Sequence, residues 1–102
     1  MFSHESDILR KLRLIEELKA DLLLEVGKLY QAMAQNRREA MGEALAQIII
    51  FVHVLGRRLG IDYKEMDEIV NTKLGHNINE ELDVEKWYGD MSEYRRHLRQ
   101  KR

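Results

Sequence analysis

Glu17, Asp21 and Glu25 recur four residues apart, so in a helix they line one side. Like charges at this spacing repel by a few tenths of a kcal/mol per pair in an isolated helix. A divalent cation held by oxygen ligands would relieve that repulsion, and so would water. Further along, Glu39, Glu43 and Gln47 repeat the spacing, and His53 and Arg57 continue roughly the same side. If the two stripes face each other, carboxylates from two helices converge, which is how metal sites are built inside helical bundles. The bland alternative is a solvated polar seam in which His53 is an ordinary interfacial histidine. Lys73, His76 and Asn77 form a third group. A lysine near a helix C-terminus commonly offsets the helix dipole, worth about 0.3–1 kcal/mol. Beside a carboxylate-bound cation, Lys73 and Asn77 would instead suit phosphate oxygens and a base or sugar edge. Trp87 and Tyr88, neighbours in sequence, are expected to pack a short helix onto the bundle, with base stacking as the other reading.

Composition removes several chemistries outright. The chain has no cysteine, which excludes disulfides, zinc–thiolate clusters and thiol nucleophiles. It has no glycine-rich phosphate loop, and no serine stands in a nucleophile context. Seventeen Lys and Arg against 18 Asp and Glu leave a net charge of −1, no electrostatic footprint for nucleic acid or a membrane surface. The charge is unevenly spread: residues 62–90 hold 3 bases and 9 acids, whereas residues 91–102 hold 5 bases and 1 acid. Arg95, Arg96, Arg99, Lys101 and Arg102 could therefore meet the acidic stretch, within one chain or between two copies. The most apolar run, Ala44 to Leu55, is 12 residues long and contains Gln47 and His53. A bilayer span needs about 20 residues. With no signal-peptide pattern at the N-terminus, the expectation is a cytoplasmic protein without a membrane or nucleic-acid partner.

The elements that must position these groups are all helical. At 102 residues the chain suffices for one domain, and it contains no proline to interrupt a helix. Ile8, Leu12, Ile15, Leu18, Leu22, Val26, Leu29 and Met33 step by threes and fours, predicting a first helix over 7–35 capped by Ser6 or Asp7. Asn36 is expected to cap a second helix over 37–59, with Gly60 stopping it. A third helix is expected over 63–74, broken by Gly75, then a loop or single turn over 76–84, and a fourth helix over 90–99. The centre of the second helix, Ile48 to Val52, is apolar on every side and must be buried on every side. One antiparallel partner cannot bury it. The expected fold is therefore all-α: a long antiparallel hairpin plus two shorter helices in one domain, assembling as a homodimer or higher homo-oligomer into a multi-helix bundle.

The stretches LKADLLLEVGKLYQAM and EALAQIIIFVHVLGRRLGID, the later Lys73 and Asn77, and the ending WYGDMSEYRRHL carry a resemblance. They resemble the short MazG-like proteins, distant relatives of the MazG-type nucleoside triphosphate pyrophosphohydrolases. Active members of the larger family carry E-x-x-E on one helix and E-x-x-D on the next. These hold Mg²⁺ at a triphosphate, which is cleaved to a nucleoside monophosphate and pyrophosphate by metal-assisted hydrolysis. In this sequence Glu25 matches the first glutamate, but the remaining three positions fall on Lys28, Ala44 and Gln47. A Mg²⁺ site needs hard oxygen ligands, preferably carboxylates, so the departures weaken it gravely.

A shifted metal site can still be drawn from Asp21, Glu25, Glu39 and Glu43, although moving from position 44 to 43 turns the ligand by about 100° around the helix. Two readings follow from the resemblance. One is a diverged nucleotide pyrophosphohydrolase using Mg²⁺ or Mn²⁺, with Glu25 and Glu43 on the metal and Lys73 and Asn77 on a nucleotide. The other is a non-catalytic homologue that keeps the helices as a nucleotide-binding, regulatory or protein-interaction module.

Overall fold

The computed structural model describes residues 2–101, with side chains described for residues 6–101. Five helices follow in order: α1 (Phe2–Ala34), α2 (Arg38–Arg58), α3 (Tyr63–Asn79), α4 (Asp83–Tyr88) and α5 (Asp90–Gln100). There is no strand among the described residues. Backbone contacts divide the chain into two units, Met1–Tyr63 and Lys64–Arg102.

The first unit is the α1/α2 hairpin. Its helices run antiparallel: Lys11 and Ile15 lie beside Arg57 and Arg58, while Glu25 to Gln35 lie beside Ala40 to Gln47. Ser6 and Asp7, expected as caps, sit inside α1, which begins at Phe2. Asn36 also plays a different part from the one expected. It adopts φ 53°, in the left-handed region, and closes α1 rather than opening α2. The amide of Asn36 donates to the carbonyl of Met33 and that of Arg37 to Ala32, the paired bonds of a left-handed helix stop. Arg37 holds the capping position of α2 without a side-chain cap. Gly60, at φ 94°, ends α2 in the same way, with Ile61 donating to Gly56.

Leu18, Ala32 and Ala44 are the buried apolar side chains where α1 and α2 meet. The two alanines bring the backbones close near the hairpin bend. The apolar centre of α2 is not enclosed by α1 alone: Ile49 is 59% exposed and Ile50 51%. By length and apolar content alone, α2 would also suffice to cross a membrane, despite Gln47 and His53.

The second unit holds α3, α4 and α5. Gly75 does not break α3, which continues to Asn79 with Leu74 buried on its inner side. A single interior glycine costs a helix only about 1 kcal/mol, which burial of Leu74 can offset. The stop comes instead at Glu81, at φ 53°. The expected loop over 76–84 thus divides between the end of α3 and the start of α4. Gly89, at φ 68°, ends α4 and begins α5. Across that bend the Ser92 amide donates to both Glu85 carboxylate oxygens at 3.1 and 3.3 Å, and Ser92 Oγ donates to Oε1 at 2.6 Å. A carboxylate at a helix start is well placed, because its first amides have no partner within the helix. Trp87 and Tyr88 do not pack inward as expected: they are 69% and 73% exposed. Asp67 and Asn71 of α3 border one cleft of about 350 Å³ with Leu98, Arg99 and Lys101. Arg102 of the basic tail lies outside the described residues.

Candidate functional site

Helix periodicity sorts the polar residues of the hairpin to one side. Glu25, Lys28, Gln31 and Gln35 follow one another by threes and fours along α1, and on α2 the neighbours Glu43 and Ala44 stand three and four residues from both Ala40 and Gln47. The two rows border a single cleft of about 390 Å³, closed toward the hairpin bend by Arg37. Ala32 and Ala44, both buried, form its floor. Three glutamines, two carboxylates and two cations make this a hydrogen-bonding cleft with no net charge.

All four positions to which the resemblance assigned metal ligands, Glu25, Lys28, Ala44 and Gln47, line this cleft. The four positions therefore share one cleft, and at three of them the side chain is not the carboxylate that the resemblance implies. The Glu25 side chain is only 14% exposed, and its Oε1 lies 3.5 Å from Lys28 Nζ. The Lys28 ammonium thus pairs with the one carboxylate kept at these four positions. Ala44 offers a methyl group, and the Gln47 amide is a neutral ligand at best.

The shifted metal set is brought together only in part. Glu25 and Glu43 share the cleft; Asp21 and Glu39 do not line it. Among the described residues no three Asp, Glu or His side chains gather as a metal ion would require. The acidic row on α1 is further neutralised within its own helix, since Glu17 accepts from Arg13 Nε at 3.2 Å and Glu25 faces Lys28. His53 stands apart from the cleft. Its Nδ1 lies 2.8 Å from the carbonyl oxygen of Ile49, and its ring is 6.5 Å from that of Tyr63. The Arg57 guanidinium sits 5.2 Å over the same Tyr63 ring, a cation–π contact that holds the end of α2. Lys73 and Asn77 lie one turn apart on α3, in the second unit, with Lys73 exposed and Asn77 half-buried.

The sequence matches the MazG-like family over residues 8–91. The chain belongs to the MazG-like family. No curated protein and no solved structure gives a match. The matched span takes in the whole cleft and reaches from α1 into α5, so family membership covers both units. Through that membership the MazG-like chain has a nucleotide-pyrophosphohydrolase-like ancestry. The polar cleft residues that reasoning from sequence did not single out are Gln31, Gln35 and Arg37. Their signal was present in the four-residue step from Gln31 to Gln35, but nothing in the sequence tied that step to Glu43 across the bend.

Proposed function

We infer that this MazG-like chain has kept the family's cleft as a nucleotide-binding module and has given up metal-dependent hydrolysis. One observation carries the reading: Lys28 Nζ lies 3.5 Å from Glu25 Oε1, at the one family ligand position that still holds a carboxylate. A tethered ammonium beside that carboxylate supplies the positive charge that Mg²⁺ or Mn²⁺ would otherwise bring. It cannot supply the metal's other contribution, the polarisation of a bound water. Lys28 and Arg37 are suited to phosphate oxygens, and the Gln31, Gln35 and Gln47 amides to base or sugar edges.

Titration calorimetry with a panel of NTPs and dNTPs, in Mg²⁺ and in EDTA, tests the reading together with an assay for pyrophosphate. The expected outcome is binding that survives EDTA, weakens in Lys28→Gln, and releases no pyrophosphate. Pyrophosphate release with Mg²⁺ or Mn²⁺ that vanishes in Glu25→Gln overturns it. That result would favour the second reading, a diverged pyrophosphohydrolase, which rests on Glu25 and Glu43 lining the same cleft.

A further inference from the structure

Four charged residues line the cleft between α1 and α2: Glu25 and Glu43 against Lys28 and Arg37. The two cations differ in what already engages them. Lys28 Nζ lies 3.5 Å from Glu25 Oε1, so its charge is largely taken up by a carboxylate that is only 14% exposed. Arg37 has no ion-pair partner among the described residues. Its backbone is held by both helices: its amide donates to the Ala32 carbonyl at 2.9 Å, and its carbonyl accepts from the Met41 amide at 3.0 Å. The guanidinium therefore stands on a fixed base at the end of the cleft nearest the hairpin bend. Its planar fork of N–H donors fits two oxygens of one phosphoryl group.

The remaining polar lining suits something other than phosphate. Gln31 and Gln35 stand about one turn apart on α1, and Gln47 lies on α2. Each amide offers a carbonyl acceptor beside its two N–H donors. A base edge, with donors and acceptors of its own, can use both. A phosphate only accepts, and would leave those carbonyls facing oxygen. Each further phosphoryl group would also bring more negative charge into a cleft that Glu43 shares. Charges within one cleft are little screened, because the Debye length is about 8 Å at physiological salt. Mg²⁺ commonly offsets a phosphate chain with the help of protein carboxylates. Among the described residues no three Asp, Glu or His side chains gather to hold such an ion.

Building on the nucleotide-binding reading of the cleft, we propose that its preferred ligand is a nucleoside monophosphate and that triphosphates bind more weakly. Arg37 takes the single phosphate, and the glutamines take the base or sugar. A monophosphate carries about −1.5 to −2 charges near pH 7, much of which one guanidinium can offset. Lys28 acts mainly by masking Glu25, which would otherwise repel the same phosphate. The volume of about 390 Å³ lies toward the lower end of the roughly 300–1,000 Å³ of small-molecule sites, as suits a ligand of this size.

Titration calorimetry in EDTA on the full chain compares the nucleoside, the monophosphate and the triphosphate of each common base. The monophosphate should bind at least tenfold tighter than either of the other two. Arg37→Gln should bring its affinity down to that of the nucleoside. Arg37 is exposed, and the readout is a ratio of affinities on one protein, so partial unfolding would lower both and leave the ratio unchanged. A triphosphate that binds as tightly as the monophosphate without metal overturns the proposal while leaving the cleft a nucleotide site. So does a monophosphate advantage that persists in Arg37→Gln. If none of the three binds, the nucleotide-binding reading itself falls, and the proposal with it.

Discussion

The two sides of the α1/α2 hairpin are made by the same two helices yet obey different rules. The cleft side carries Glu25 and Glu43 against Lys28 and Arg37, whose charges cancel, and Gln31, Gln35 and Gln47, whose amides suit a hydrogen-bonding ligand. The other side carries Leu23, Tyr30, Leu45 and Ile49, large apolar groups left in water. The division is incomplete: Leu24 and Ile50 are also exposed, on the cleft's own side, and nothing in the structure explains them. Lys28 is exposed whereas Ala44 is buried, so the cleft tolerates a change of charge at position 28 more readily than at position 44. Exposed leucine and isoleucine each forgo about 1.5–3 kcal/mol of burial, so the apolar side has no such freedom.

The largest expected effect comes from the residue behind both sides. Leu18→Ala empties the buried seam and should cost about 2–5 kcal/mol by denaturant unfolding, weakening ligand binding with it. Ligand binding that survives that loss would mean that the cleft does not share this core.

A smaller change touches the cleft side alone. Rebuilding the family pattern with Lys28→Glu, Ala44→Glu and Gln47→Asp sets carboxylates together and places one where Ala44 is 4% exposed. An unpartnered buried polar group costs about 1–3 kcal/mol. The triple variant should therefore melt below wild type in EDTA and recover with Mn²⁺. No recovery would mean that the cleft no longer has the geometry of a metal site.

The second unit provides a control. Glu85→Ala removes the carboxylate that receives the Ser92 amide and hydroxyl, and should cost about 1–2 kcal/mol in thermal unfolding. The smallest effect has the opposite sign. A Cβ at Gly75 meets nothing within 4 Å and the residue is interior to α3, so Gly75→Ala should raise stability by about 0.5–1 kcal/mol.

Much of the fold was legible in the residues, because apolar spacing of three and four has one common explanation and no proline opposes it. The helices α1, α2 and α5 and the stop at Gly60 follow from such local rules. Asn36 was read as opening α2 because asparagine both caps helices and tolerates the left-handed region; which role it takes depends on where the α1 bonds end. Gly75 was read as a break because local propensity weighs against it, whereas burial of Leu74 weighs for continuation. Trp87 and Tyr88 were expected inside on apolar area alone.

The sequence by itself determined the helical class, the absence of thiol chemistry, the resemblance to MazG-like proteins, and the loss of carboxylates at positions 28, 44 and 47. Those are facts of residue type and short-range spacing. Only the tertiary structure decided that these positions share one cleft and that His53 stands outside it. Each of these depends on the rotation of one helix against another, which is fixed by packing across the hairpin and not by any run of neighbours.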